Sequence, residues 1–244
     1  MVLIVHYSME NRAVSRRIGK KAIRPRPFRA KCSPPLDTPA RRGYNGHKKT
    51  REMQGDDMEI IDICDERGNP TGETVERARA HGEGILHRTA HVWIVRRAGD
   101  GWEILLQKRS LEKDSYPGLY DTSSAGHIPA GSEPLESALR ELREELGIEA
   151  GEDQLLPAGT FRIQYEDSFH GKPFRDNEFT FVYVYRDPVD ADALTLQPGE
   201  VDEVRWFPLD EVCEEIRHTR ARFCVPSHGL NVLRRFLGAC GEEL

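Results

Sequence analysis

A glycine-bounded loop that runs into a leucine-striped helix constrains the fold of this chain more than any other segment. The loop extends from Gly126 to Ser132, and the spacing predicts a helix over Pro134 to Leu146. Proline suits the first turn of a helix, and Gly147 can close the last one. The apolar positions recur at helical spacing, which predicts one buried stripe made of Leu135, Leu139, Leu142 and Leu146.

A second face of this helix is acidic. Glu141, Glu144 and Glu145 fall on one stripe, and we expect them to face outward together. Carboxylates at this spacing repel one another unless a positive charge lies among them. Arg140 can pair with Glu144 at i+4, and the oxygen ligands suit Mg²⁺ or Mn²⁺. A solvated, salt-bridged helix face is the alternative, but the glycine loop before it favours a metal site.

The whole segment resembles the Nudix box, in which a Gly precedes a Glu by six positions and an Arg-Glu-aliphatic-x-Glu-Glu-x-Gly run follows. Only one position departs from that pattern, since Ser132 stands where the first Glu belongs and Glu133 comes one residue later. The resemblance implies an α/β fold of the Nudix type, an α/β/α sandwich with a mixed sheet. It also implies a hydrolase that cleaves a diphosphate linkage in a nucleoside-diphosphate-type or other organic diphosphate, with Mg²⁺ or Mn²⁺ held by Glu141, Glu144 and Glu145.

Within that superfamily, the chain is similar to the branch that includes isopentenyl-diphosphate isomerase. The isomerase carries a Cys immediately before a Gly-His pair, whereas this chain has Ala125 there, so the acid/base group for proton transfer to carbon is missing and hydrolysis is favoured. An isomerase-like enzyme and a non-catalytic Nudix-fold binding module are the alternatives. The matching segments are Asp65 to Gly72, Leu86-His87-Arg88, Gln107-Lys108-Arg109 with Lys113, Pro117 and Gly118, and Gly126-His127.

Site roles follow from these two resemblances. We assign catalytic roles to Glu144, Arg140 and Glu178; Glu178 belongs to Asp176-Asn177-Glu178, a partial match to a Glu-x-Glu metal segment, and is a candidate ligand or general base. Substrate binding is assigned to four residues. For the two cations among them, Arg109 and Lys113, a surface ion pair is the alternative role. These four residues are Arg109, Lys113, Gly126 and His127.

Histidines give a weaker signal. His87 and His127 match metal-binding histidines of the isomerase branch. His81 lies six residues before His87, where that branch spaces the pair by seven, so an incomplete isomerase-type site is expected. A hydrogen-bonded structural role is the alternative for each histidine.

Charge divides the chain near residue 57. Residues 1–57 carry 14 Lys and Arg against 5 Asp and Glu, a balance of +9, whereas the remainder balances to −15. The first segment is rich in Arg and Pro and lacks apolar periodicity, so we interpret it as a disordered basic extension. A nucleic-acid arm and a targeting peptide are alternatives; our preferred hypothesis is an over-extended gene model with Met58 as the natural start. Residues 58–244 then form the Nudix hydrolase domain.

Downstream of Met58, strands and helices alternate, which predicts helices packed on a mixed sheet. Strands are expected at Ile60 to Cys64, His91 to Val95, Ile104 to Gln107, Phe179 to Tyr185 and Val201 to Phe207. Besides Pro134 to Leu146, helices are expected at Leu209 to Arg217 and Gly229 to Leu237.

Composition limits the class of protein. No apolar run approaches the roughly 20 residues of a membrane-spanning helix, and the five cysteines are scattered without a Cys-x-x-Cys pair. No membrane partner and a reducing cytoplasm are therefore expected. The acidic balance of residues 58–244 opposes nucleic-acid binding. The expected partner is a small-molecule diphosphate, and the sequence leaves a homodimer open.

Overall fold

The structure is a computed structural model, and it describes residues 59–238. The predicted basic extension, residues 1–57, lies outside this range. None of the helices in residues 59–238 has the length and apolar character needed to span a membrane.

Residues 59–238 form nine strands and four α-helices. The strands are β1 (Ile60–Cys64), β2 (Pro70–Glu76), β3 (His87–Ala98), β4 (Gly101–Arg109), β5 (Tyr120–Asp121), β6 (Ser124–His127), β7 (Leu155–Phe169), β8 (Lys172–Tyr185) and β9 (Val201–Pro208). The helices are α1 (Arg77–Glu83), α2 (Pro134–Leu146), α3 (Leu209–His218) and α4 (Ser227–Leu237).

Strand β3 is the centre of a mixed sheet. It pairs in parallel with β8 over His87–Ile94 and antiparallel with β4 over Ile94–Ala98. Residues Thr89–Val92 also pair antiparallel with β6. The polar start of β3 therefore lies between β8 and β6, which is where the candidate site forms.

Side-chain alternation along β3 gives the sheet two buried faces. Ala90, Val92 and Ile94 pack in one apolar cluster with Leu142 and Leu146 of α2. Trp93 and Val95 pack in the other, whose helical members are Leu209, Val212, Cys213, Ile216, Leu230, Val232 and Leu233 of α3 and α4. Helices thus cover both faces of the mixed sheet, as expected for the α/β/α sandwich.

Most predicted elements are confirmed and several are longer than predicted. Strand β1 and helix α2 have the predicted bounds, and the hairpin of β3 and β4 is present with longer strands. Strands β2, β5, β6 and β7 and helix α1 were not predicted. In β2, only Val75 is buried, so the strand has no apolar alternation for a sequence pattern to reveal.

Strands β7 and β8 extend beyond the sheet as a two-stranded arm. Their pairing runs from Leu155↔Tyr185 to Phe169↔Lys172, whereas β8 pairs with β3 only from Glu178 onward. The arm turns at His170 and Gly171, whose φ values of 52° and 75° are both positive. A two-residue hairpin turn needs such values to match the twist of the strands. The arm therefore projects past the start of β3, beside the site.

Candidate active site

Strand β6 separates two groups of chemically active side chains. Because successive residues of a strand face opposite sides of the sheet, Gly126 and His127 face different sides. Gly126 faces helix α2, and a Cβ built at Gly126 would lie 2.1 Å from Oε1 of Glu141. His127 is paired with Thr89 and points to the other face. The site therefore has an acidic side, on α2, and a histidine side.

On the acidic side, Glu141 is held close to the strand. Its side chain is only 14% exposed, and Nη2 of Arg140 lies 2.7 Å from its Oε1. Burial raises the pKa of Glu141 to about 7 against the opposing effect of Arg140. Part of this carboxyl population keeps its proton at neutral pH unless a metal ion adds to the positive charge of Arg140.

Glu145 is the most buried carboxylate of the helix. Its Oε2 accepts a hydrogen bond from the backbone N–H of Ala125 at 3.1 Å, and both oxygens lie 3.4 Å from Nε2 of Gln107. Burial, followed by the charge of Glu141, raises the pKa of Glu145 to about 8. Two neighbouring carboxyl groups with raised pKa values are a typical sign of a functional site, and a bound cation would favour their ionised forms.

The expectation that Glu141, Glu144 and Glu145 face outward together is wrong. Only Glu144 is well exposed, at 42% of its side chain, and its Oε2 accepts a hydrogen bond from Arg140 at 3.0 Å. Arg140 also donates to the carbonyl oxygen of His127 at 3.2 Å. Glu145 lies inside because the edge of β6 presents a free N–H to it, and a helical pattern alone cannot reveal this. Arg140 thus links the acidic side to the strand that carries His127.

On the other face, three histidines and a glutamate form one compact group. One ligand atom from each of His81, His87, His127 and Glu178 lies within 4.8 Å of the others, and this is the one such group of three or more found in residues 59–238. The Nε2 atoms of His81 and His127 are 3.0 Å apart. Oε1 of Glu178 is 3.9 Å from Nε2 of His87 and 3.8 Å from Nε2 of His127. Imidazole nitrogens with one carboxylate suit a divalent transition metal.

Neighbouring residues orient these ligand atoms. Nδ1 of His87 lies 2.8 Å from the carbonyl oxygen of Ile85, so Nδ1–H donates there and Nε2 keeps its lone pair. That Nε2 is buried and has no hydrogen-bond partner. Oε2 of Glu178 accepts a hydrogen bond from Thr89 at 3.1 Å, which leaves Oε1 directed at the histidines. An unpartnered buried nitrogen beside a carboxylate is an arrangement that a cation would satisfy.

The pKa values of the buried histidines and carboxylates agree with a metal site. Burial lowers the pKa of His81 to about 3 and that of His127 well below its usual value, so both rings are neutral, as metal ligation requires. Burial raises the pKa values of Asp176 and Glu178, and the charge of Asp176 raises the pKa of Glu178 further. Nδ1 of His81 lies 3.5 Å from Oδ1 of Asp176. The spacing of His81 and His87 does not exclude His81 from the group, because α1 ends at Gly84 in a left-handed turn that directs the chain back toward β3.

The two predicted phosphate-binding cations have intramolecular partners. The guanidinium of Arg109 bonds to the carbonyl oxygen and hydroxyl of Ser115 and to Asp121, which fixes the loop after β4. Lys113 is paired with Glu200. Lys113 is nevertheless close enough to His127 to lower that residue's pKa. The charge of Lys113 therefore acts on the histidine side, whereas Arg109 interacts with Glu145 on the acidic side.

Sequence reasoning missed Arg77 and Thr89. Arg77, the first residue of α1, lowers the pKa values of His81, His127 and Asp176 through its charge, so it lies beside the histidine side. Its only sequence signal is a position four residues before His81. Thr89 lies two residues after His87, and strand alternation could have placed both on one face had β3 been predicted to start at His87.

Comparison with known proteins identifies the family. The family model of the NUDIX domain matches residues 85–224, which is more than half of the chain. The chain therefore belongs to the Nudix family. Proteins named as Nudix hydrolases are among its relatives.

Relatives carry both hydrolase and isomerase names. The chain is 41% identical over 155 residues to Nudix hydrolase 3 of Arabidopsis thaliana, covering 63% of this chain but only 20% of that protein. An uncharacterized Nudix hydrolase of Clostridium acetobutylicum is 37% identical over 154 residues, 63% of this chain and 72% of that one. An isopentenyl-diphosphate Delta-isomerase of Dinoroseobacter shibae is 31% identical over 149 residues, 61% of this chain and 79% of that one. The chain thus spans about a fifth of its Arabidopsis relative.

A solved structure shares the fold. A protein from Deinococcus radiodurans superposes with a TM-score of 0.54 at 20% identity, covering 72% of this chain and 98% of that chain. This likeness supports the Nudix fold.

Proposed function

We propose that this protein hydrolyses the diphosphate linkage of an organic diphosphate in a reaction that requires Mg²⁺ or Mn²⁺. The observation that carries the proposal is the pair of ligand sets on the two sides of β6. Glu141, Glu144 and Glu145 supply carboxylates on one side, and the histidine group supplies a second site on the other. Both sets adjoin β6, through Ala125 and His127, and the substrate is proposed to bind at the end of that strand.

A bound divalent ion would neutralise diphosphate oxygens and lower the pKa of a coordinated water. Glu141 and Glu145 are the proposed ligands closest to β6. Glu144, the most exposed of the three, is proposed to accept the proton of the attacking water. Glu178 is assigned to the histidine group as a ligand, because Thr89 occupies one of its oxygens and the other faces two histidines.

Cations around the histidine group would bind the phosphate oxygens. Arg77 and Lys113 both act on the pKa of His127, and both side chains are partly exposed. Lys113 must exchange its partner Glu200 for a phosphate when substrate binds. Arg109 is proposed to position the loop that carries Lys113, since its donors are already bonded to Ser115 and Asp121.

Phosphate release from a panel of organic diphosphates, measured across a Mg²⁺ titration, tests the proposal. Glu145→Gln keeps the shape of the side chain and removes its charge, and we expect turnover to fall by about 10² or more. Glu136→Gln is the matched control, because Glu136 lies on the exposed side of the same helix. Circular dichroism confirms that both variants are folded. Metal-independent turnover, or normal turnover in Glu145→Gln, would contradict the proposal.

The histidine group favours one second candidate, an isomerase acting on isopentenyl diphosphate. Ala125 opposes it, since a methyl group cannot transfer a proton to carbon. Incubation with isopentenyl diphosphate in deuterated water separates the two functions. We expect no deuterium in the carbon skeleton; carbon labelling would replace hydrolysis with isomerisation as the preferred function.

A further inference from the structure

Four half-buried aromatic rings line the approach to the histidine group. Three of them, Tyr165, Phe169 and Phe174, lie on one face of the two-stranded arm. The register places them there, because Tyr165 pairs with Asp176 and Phe169 with Lys172, on the face that also carries Glu178. This face is therefore a direct continuation of the site.

The fourth ring, Tyr116, comes from the loop between β4 and β5. Its centroid lies 5.1 Å from that of Phe169 in an edge-to-face arrangement, and its hydroxyl donates to Asp167 of the arm at 3.2 Å. Tyr116 has a φ of 50°, a conformation uncommon for a residue with a side chain. The loop that carries Lys113 and the tip of the arm are thereby joined.

Phe174 connects these rings to the proposed metal ligands. Its ring stacks on that of His81 with centroids 4.5 Å apart and an interplanar angle of 16°. Phe174 also contacts Phe169 at 5.3 Å and Tyr165 at 6.2 Å. The four rings, which we term the aromatic wall, start at the histidine group and end at the tip of the arm.

We propose that the aromatic wall binds the organic group of the substrate and selects for an uncharged group with an apolar or flat surface. When the diphosphate binds at the histidine group, the organic part of the substrate would meet Phe174 before the other rings of the wall, because Phe174 adjoins His81. The hydroxyl of Tyr116 is already bonded to Asp167, so the wall offers ring surface more than polar contacts. This inference rests on the proposed function, and it narrows the substrate class.

The charges around the wall oppose a second phosphorylated group. Asp167 and Asp176 lie on the same face of the arm as the rings, and Lys172 lies on that face only at the tip. Another multiply charged anion beside the carboxylate of Asp167 would be repelled, whereas an uncharged ring would bury apolar area. Substrates with several phosphates spread over the organic group are therefore disfavoured.

Two non-hydrolysable probes test the inference independently of turnover. Methyl and benzyl methylenebisphosphonate share a P–C–P unit and differ only in the apolar group, and their affinities are measured by titration calorimetry with Mg²⁺ present. We expect the wild-type protein to bind the benzyl probe about tenfold more tightly, the size of one stacked aromatic contact with its buried area. Phe169→Ser is expected to reduce this preference below about threefold, because it removes the ring that contacts both Phe174 and Tyr116.

Matched variants separate the effect of losing the Phe169 ring from the effect of altering the arm elsewhere. Phe169→Leu keeps apolar bulk and should retain most of the preference, and Glu166→Ala alters the opposite face of the arm and should retain all of it. Affinity for the methyl probe should be unchanged in all three variants. Equal affinity of the wild-type protein for both probes, or a preference that survives in both Phe169→Ser and Tyr116→Ala, would overturn the inference. Failure of the proposed function would instead show as probe binding without hydrolysis of any organic diphosphate.

Discussion

Gly126→Ala tests whether close packing of helix α2 on β6 sets the catalytic geometry. The added Cβ would lie 2.1 Å from Oε1, 2.2 Å from Cδ and 2.7 Å from Cγ of Glu141. Ordinary contact begins near 3.4 Å, so the carboxylate must move by about 1.3 Å. A displacement of about 1 Å at a catalytic group costs on the order of a hundredfold in rate. That factor corresponds to about 2.7 kcal/mol of transition-state stabilisation.

The melting temperature should change little, because Glu141 can rotate away and alanine restricts the unfolded chain slightly. Turnover is measured by phosphate release over a Mg²⁺ titration, together with thermal unfolding. Gly101→Ala is the control, since its added Cβ would meet nothing closer than 3.7 Å. Turnover of Gly126→Ala within threefold of wild type would refute the reasoning that Glu141 must stay against the strand.

Two further predictions concern stability. Burial raises the pKa of Glu145 from 4.5 to about 8, so the folded protein without metal keeps a proton that the unfolded chain loses above about pH 5. This stabilisation is complete below the pKa of Glu145 in the unfolded chain and is lost as the pH rises through its pKa in the folded protein. In EDTA, the melting temperature should therefore fall between about pH 5 and pH 9, and it should fall less in Glu145→Gln. The same dependence of melting temperature on pH in Glu145→Gln and wild type would contradict the assignment. Second, Arg88→Met leaves Asp62 buried without the partner now 2.8 Å away, and should lower the free energy of unfolding by about 3 kcal/mol or more in urea titrations. The exposed pair of Arg96 and Glu103 is the comparison, and Arg96→Met should cost less than about 1 kcal/mol.

Local chemistry made parts of the fold predictable. Helix α2 has its predicted bounds because leucine spacing, Pro134 and Gly147 act within the segment itself. Strand β7 was missed because its far half leaves the sheet, where exposed Gln164, Glu166 and Ser168 alternate with half-buried residues and no apolar pattern arises.

The site was predictable to a similar extent. Spacing along one helix identified Glu141 and Glu145, but their burial depends on Gly126, Ala125 and Gln107, which no helical pattern includes. The inclusion of His81 depends on the turn at Gly84. Long-range contacts of this kind come from the assembled sheet, so a spacing rule applied to the sequence cannot supply them.

Strand β6 has only four residues and, among the strands of residues 59–238, pairs with β3 alone. So few backbone hydrogen bonds give a short edge strand a small free energy of local opening compared with that of the whole domain. Every opening of β6 would separate His127 from the histidine group and Ala125 from Glu145 at once. Heat should therefore inactivate the enzyme reversibly at temperatures where the rest of the domain is still folded. Amide hydrogens of residues 124–127 should exchange with solvent faster than those of β3, and a bound divalent ion should slow that exchange.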